Sequence, residues 1–202
     1  MSGAGFVLVG GASSRMGRDK ALLPYEGTVL AERIAREVEA VTGAVILVGP
    51  PERYQHLGRR VVPDLRPGNG PLGGVEAALT ASAADWNLIV ACDMPRVTAA
   101  LLGELMERAE RSAADCLVPF SVPGRPEALC AVYHRRCLRA VTAALDADLR
   151  KVSDWLAMLR VARWTPPTAG WSENLNTGKQ WAAHRCSTSA TPSRPGEKKL
   201  HD

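Results

Sequence analysis

Short apolar runs alternate with stretches in which apolar residues recur every three to four positions, from residue 5 almost to residue 184. The runs read as strands and the periodic stretches as helices. Gly5–Val9 predicts a strand, and Val29–Val41 a helix with Val29, Leu30, Ile34, Val38 and Val41 at helical spacing. Ala44–Val48 predicts a strand closed by Gly49-Pro50-Pro51, and Arg60–Val62 a further short strand. A helix follows over Gly73–Ala83, then a strand over Trp86–Ala91 that runs into Cys92-Asp93. Thr98–Arg111 predicts an amphipathic helix with Thr98 as its N-cap. Cys116–Phe120 and Ala128–Tyr133 read as strands, Arg136–Leu145 and Val152–Leu159 as helices, Val161–Thr165 as a late strand and Gly178–His184 as a last short helix.

This alternation predicts an α/β fold, a mostly parallel sheet with helices on both faces. Ligands of such sheets bind at the carboxyl ends of the strands. The glycines after the first strand, Asp64 after the third and Asp93 after the fourth would then meet on one rim. A chain of 202 residues with 46% hydrophobic content can bury a substantial core, and one domain over residues 1–186 is expected. Residues 187–202 lack apolar periodicity and are expected to form a disordered tail.

The chemistry concentrates in Leu8–Pro24, where a strand runs into Gly10-Gly11, followed by Ser13, Arg15, Gly17, Asp19 and Lys20. Backbone without side chains approaches a phosphate closely and offers its N–H groups. Arg15 and Lys20 add positive charge where a polyphosphate would sit. The string is neither Gly-x4-Gly-Lys-Ser/Thr nor G-x-G-x-x-G, so the commoner phosphate loops are excluded. Asp93 reads either as a carboxylate for Mg²⁺, which favours one or two carboxylates plus phosphates and water, or as a turn residue before Met94-Pro95. Asp64 reads as a nucleotide or metal-shell contact, or as the cap of a turn before Pro67-Gly68.

The formal charge of +4 is mild, and no basic stripe carries interleaved aromatics, so nucleic acid is not expected as a partner. Five cysteines form no C-x-x-C and no zinc-ligand spacing; Cys92, Cys116 and Cys130 sit in apolar runs and read as buried thiols of a reducing compartment. No secretory leader and no membrane span is expected, and the localisation expected is cytoplasmic. The histidines show no metal or nucleophile pattern and read as surface residues, the tryptophans as packing.

Gly-Gly-x-Ser-x-Arg-Met-Gly-x-Asp-Lys after a buried strand resembles the signature of the molybdenum cofactor guanylyltransferases, nucleotidyltransferases with a Rossmann-like α/β fold. Val62-Pro63-Asp64, Gly70-Pro71-Leu72-Gly73-Gly74, Ala91-Cys92-Asp93-Met94-Pro95 and Asn174-Leu175-Asn176-Thr177 resemble further family segments in the same order, so the resemblance spans residues 4–186. It implies transfer of GMP from GTP to the molybdenum-molybdopterin cofactor, with release of pyrophosphate and with Mg²⁺ as cofactor. It implies catalytic roles for Arg15, Lys20 and Asp93, with Asp93 on the metal. Leu8, Val9, Gly10, Gly11, Ser13, Arg15, Lys20, Asp64, Gly70, Pro71, Leu72, Gly73 and Asp93 would bind nucleotide. Glu127-Ala128-Leu129-Cys130-Ala131-Val132-Tyr133 is similar to the family's acceptor-side strand, which implies acceptor contacts for Glu127, with Arg125, and for Asn174 and Asn176. Cofactor-insertion proteins and recipient molybdoenzymes are the implied partners.

Four positions depart from the family pattern: Val9 stands where alanine is usual, Ala128 where proline is usual, and Gly178-Lys179 where Pro-Glu or a similar acidic pair is usual. The related cytidylyltransferases usually show Ala-Ala-Gly, so Gly10-Gly11 points to guanine. Two alternatives keep the fold: a cytidylyltransferase on the same cofactor, and a nucleotidyltransferase on another phosphorylated acceptor. A third is a nucleotide-binding protein that delivers cofactor without turnover.

Overall fold

The structure is a computed structural model and describes residues 3–10, 19–121 and 124–174. In chain order it contains β1 (Gly3–Leu8), β2 (Pro24–Tyr25), β3 (Thr28–Val29), α1 (Leu30–Thr42), β4 (Val45–Val48), α2 (Pro51–Tyr54), β5 (Arg60–Val62), α3 (Pro71–Thr80), β6 (Trp86–Ala91), α4 (Ala99–Glu110), β7 (Cys116–Ser121), β8 (Arg125–Pro126), β9 (Cys130–His134), α5 (Cys137–Asp146), α6 (Val152–Leu156) and β10 (Val161–Trp164). The main sheet has the order β10-β7-β9-β6-β1-β4-β5, with β8 paired to β7. β5, β4, β1 and β6 run parallel, β10 and β7 are parallel to each other, and β9 lies antiparallel between β6 and β7. The expected mostly parallel α/β sheet is observed.

Alternation along each strand sends side chains to two separate cores, as the period of two requires. Val7, Leu47, Leu88 and Val90 pack against Ile34, Ala35 and Val38 of α1 and Leu102 and Leu105 of α4. Phe6, Leu8, Val48 and Ile89 pack on the other face against Leu72 and Val75 of α3, Val141 of α5 and Trp155 of α6. Helices therefore cover both faces, and the two cores leave only the ends of the strands for polar chemistry.

Local chemistry explains where the element ends fall. Thr98 caps α4 as expected, accepting from the Leu101 N–H. α3 begins at Pro71 rather than at the expected Gly73, because proline suits the first helical position and Gly70, at φ +66°, supplies the sharp entry. β1 ends at Leu8, since the N–H groups of Val9 and Gly10 both turn to the Val48 carbonyl. β9 begins at Cys130, and α6 stops at Leu156, shorter than the expected Val152–Leu159. The helix expected over Gly178–His184 and the tail 187–202 lie outside the described residues. Among the described residues no helix is long and apolar enough to cross a membrane.

Candidate active site

The carboxyl ends of β1, β4, β5 and β6 are tied together by backbone hydrogen bonds. Cys92 N–H donates to the Leu8 carbonyl at 3.1 Å, Val9 and Gly10 N–H donate to the Val48 carbonyl at 3.0 and 3.1 Å, and Gly49 N–H donates to the Val62 carbonyl at 2.9 Å. Gly10 and Gly49 touch: a Cβ on Gly49 would lie 2.9 Å from the Gly10 nitrogen. Any side chain at Gly49 would push against the Gly10 backbone. The side chains of Leu8 and Val9 are buried, so their contribution at the rim is made by backbone.

Lys20 and Asp93 meet on this rim. Lys20 Nζ lies 3.6 Å from Asp93 Oδ2, and both side chains are about one-fifth exposed, at 21% and 22%. Lys20 begins a single 3-10 turn, Lys20–Leu22, which Asp19 caps by accepting the Ala21 N–H at 3.1 Å. Asp93 lies two residues beyond the end of β6, a strand whose interior residues are fully buried. A carboxylate so placed is a hard oxygen ligand, and beside substrate phosphates it matches what Mg²⁺ requires. Among the described residues no group of three or more His, Cys, Asp or Glu side chains forms a cage of its own. Gly11, Ser13 and Arg15 of the same motif lie outside the described residues.

Asp64 stands beyond β5, against the start of α3. Its Oδ1 accepts the Arg66 N–H at 2.9 Å, and a Cβ on Gly73 would lie 2.8 Å from that oxygen. Glycine at 73 is what allows the carboxylate to rest on the helix. Burial, with Glu76 adding to it, pushes the Asp64 carboxyl above the usual range, against the Arg66 N–H that favours its charged form. The Arg66 side chain holds the turn in place, with Nε 3.0 Å from Glu76 of α3 and Nη1 2.6 Å from Asp146 of α5. Gly70 and Pro71 are exposed at the helix entry, whereas Leu72 is fully buried in the core and Gly73 is covered. Of these four, only Gly70 and Pro71 present surface to a ligand.

The antiparallel β9 brings Glu127-Ala128-Leu129, the segment expected to contact the acceptor, to the same rim. Its register places Cys130 opposite Val90, and Ala91 N–H donates to the Leu129 carbonyl. Glu127 is 6% exposed; it accepts from Ser121 Oγ at 2.8 Å and pairs with the exposed Arg125 at 3.4 Å. Asn174 is partly buried at the end of a segment moored by Arg96, whose Nε lies 2.9 Å from Glu173. Arg96 sits three positions beyond Asp93, so this mooring ties Glu173, the neighbour of Asn174, to the segment that follows Asp93. Between that segment and α4 opens a cleft of about 350 Å³, lined by Arg96, Thr98, Leu101, Trp164, Pro166 and Trp171. Asn176 lies outside the described residues.

The structure thus gathers Lys20, Asp93, Asp64 and Gly10 on one rim and brings Glu127 there ahead of β9. Sequence reasoning missed Gly49, Tyr54, Arg66, Ser121 and Arg96. Gly49-Pro50 closing a strand of the same sheet was the one legible signal among them, because it marks a turn on the rim.

Residues 5–162 match the family model described as a MobA-like NTP transferase domain. A protein of Pelotomaculum thermopropionicum named "Probable molybdenum cofactor guanylyltransferase" is 40% identical over 162 residues, 80% of this chain and 78% of that one. A protein of the same name from Synechococcus elongatus is 33% identical over 190 residues, 91% of this chain and 98% of its own. The crystal structure of molybdopterin-guanine dinucleotide biosynthesis protein A from Archaeoglobus fulgidus superposes with a TM-score of 0.79 at 25% identity, covering 92% of this chain and 99% of that one. A 2-C-methyl-D-erythritol 4-phosphate cytidylyltransferase from Thermus thermophilus shares the fold, with a TM-score of 0.70 at 17% identity over 92% of this chain and 98% of its own.

Proposed function

The chain belongs to the MobA-like NTP transferase family, and from that premise we propose that it transfers GMP from GTP to the molybdenum-molybdopterin cofactor. An oxygen of the acceptor phosphate attacks the α-phosphorus of GTP. The bond from that phosphorus to the bridging oxygen breaks, and pyrophosphate leaves with the electron pair. No protein nucleophile is required, because the attacking phosphate is already anionic.

The observation that carries this reading is the Lys20–Asp93 pair on the strand rim. Nucleotidyl transfer builds charge on the α-phosphate and the departing pyrophosphate, and fixed cations offset it. Lys20 is such a cation, and Arg15 of the motif is assigned the same role. Asp93 would hold Mg²⁺, which when bound neutralises phosphate charge. Asp64, Gly70 and Pro71 line the side proposed for the guanine nucleoside, with Gly10 and Gly11 against its base and sugar and Ser13 also assigned to the nucleotide. Leu8, Val9, Leu72 and Gly73 frame that surface from beneath. Glu127, Asn174 and Asn176 are assigned to the acceptor.

The fold is common to cytidylyltransferases and does not choose the base. Guanine is supported by Gly10-Gly11 and by the names of the relatives at 40% and 33% identity. A cytoplasmic setting is supported by four buried free thiols, Cys92, Cys116, Cys130 and Cys137. The deciding experiment measures pyrophosphate release from GTP and from CTP, with Mg²⁺ and purified molybdenum cofactor. Cofactor-dependent release with GTP is expected; preference for CTP, or release with neither, overturns the proposal.

A further inference from the structure

Tyr54 is 1% exposed, and its hydroxyl touches two residues of the phosphate-side motif. It lies 2.8 Å from the Val9 carbonyl oxygen and 2.8 Å from Asp19 Oδ2. The chain delivers it there by turning at Gly49-Pro50 and starting α2 at Pro51, so that Tyr54 reaches the core that underlies the rim. Burial first, and then the Asp19 carboxylate, push the phenol's ionisation well above the usual tyrosine range. The hydroxyl therefore remains a donor, its one proton shared between two acceptors.

These contacts close a ring. Asp19 caps the turn that begins with Lys20; Lys20 faces Asp93; Asp93 adjoins Cys92, whose N–H is bonded to Leu8; and Leu8 adjoins Val9, which returns to Tyr54. Every link but one is made by backbone or by a residue of the two rim motifs. The exception is the Tyr54 hydroxyl, which comes from α2.

We propose that Tyr54 is a positioning residue for nucleotidyl transfer: its hydroxyl fixes Asp19 against Val9 and so holds the Lys20 ammonium at the Asp93 carboxylate. The inference rests on the assignment of Lys20 and Asp93 to the triphosphate and its metal. Removing the hydroxyl takes the donor from one buried acceptor, the Val9 carbonyl, and one part-buried acceptor, the Asp19 carboxylate, and frees the capping aspartate to move. Displacement of a catalytic group by about 1 Å lowers rates by about a hundredfold.

Tyr54→Phe tests this with little change of volume. The variant is expected to bind Mg²⁺-GTP about tenfold more weakly by calorimetry and to lose roughly ten- to a hundredfold in kcat/KM for GTP, with KM for the acceptor unchanged. Thr42→Val is the matched control. Its hydroxyl also contacts two carbonyls, those of Val38 at 2.9 Å and Ala44 at 2.7 Å, where α1 leads into β4. That variant is expected to lower Tm and leave GTP binding and turnover at wild-type values. GTP affinity and kcat/KM in Tyr54→Phe equal to those of Thr42→Val would overturn the proposal. Wild-type turnover reads the guanylyltransferase assignment by itself. If the wild type prefers CTP, that assignment fails, and the same comparison of variants is made with CTP. If the wild type binds no nucleotide, both fail.

Discussion

The Lys20 ammonium stands 3.6 Å from the Asp93 carboxylate, although the two residues come from different strand-to-helix connections. At 3.6 Å the contact is too long for a hydrogen bond and both side chains still reach solvent, so the attraction contributes little to folding, about 1 kcal/mol or less. The pair is therefore expected to matter for catalysis more than for stability. Asp93→Asn should lower kcat by about 10²–10³ while shifting Tm by a few degrees at most. Lys20→Ala should do the same, and the double variant should lose less than the sum of the two, because they act on one triphosphate. Steady-state kinetics and thermal melts of the three variants check this. A variant with wild-type turnover would remove either residue from the mechanism.

Gly73 and Gly103 both lie in helices, and the same substitution should have opposite signs at the two. A Cβ at 73 would meet Asp64 Oδ1 at 2.8 Å, whereas a Cβ at 103 meets nothing within 4 Å. Gly103→Ala should stabilise by about 0.5–1 kcal/mol through helix propensity and leave activity unchanged. Gly73→Ala should destabilise by about 1–3 kcal/mol, because the Asp64 carboxylate must move, and should raise KM for GTP. Denaturant melts and GTP kinetics distinguish them.

Asp64→Asn should separate stability from function. The folded-state carboxyl ionises above its usual range because it is buried near Glu76. An acid with a raised pKa opposes folding once it ionises, and that penalty disappears as pH falls through its folded pKa. The amide keeps an oxygen for the Arg66 N–H and removes the charge. At pH 7 the variant should melt at or above the wild-type temperature while losing GTP turnover. The Tm difference should shrink as pH is lowered through the folded-state pKa. A variant that melts lower at pH 7 and keeps its activity would contradict both halves.

Asp115 should govern part of the acid sensitivity. It accepts from the Arg160 side chain and backbone N–H and pairs with Arg136, which hold its carboxyl at about 2, below the ordinary aspartate range. A depressed pKa stabilises the fold above the unfolded value, and that contribution is lost as pH falls from about 4 towards 2. Asp115→Asn should lower Tm at pH 7 and show a flatter decline between pH 5 and 2. Parallel slopes for the two proteins would count against the assignment.

Most of the strand and helix positions were legible in the sequence because each element has one buried face and a clear period. Trp86–Ala91 and Arg60–Val62 fall where the apolar runs predict them. Errors gathered at helix ends, where a single residue such as Pro71 or a backbone turn outweighs periodicity. The motif also named Lys20 and Asp93 as candidates for one site, and the two side chains meet at 3.6 Å, since both follow strands of a parallel sheet. Tyr54 and Arg66 were not legible. A tyrosine in Arg53-Tyr54-Gln55 and an arginine in Leu65-Arg66-Pro67 carry no local pattern that separates them from ordinary packing and surface residues.

The sequence by itself determined the fold class, the strand ends on which the candidate residues fall and the glycines and charges of the first loop from which phosphate binding is proposed. These depend on periodicity, glycine and charge, which act over a few residues. Only the tertiary structure decided which groups meet: Lys20 with Asp93, Tyr54 with Asp19 and Val9, and Asp64 with the helix at Gly73. It also decided that β9 runs antiparallel and carries Glu127 to the carboxyl rim. Strand order and direction set these distances. Both arise from how the two cores pack on opposite faces of the sheet, a property of the whole chain that no local stretch of residues encodes.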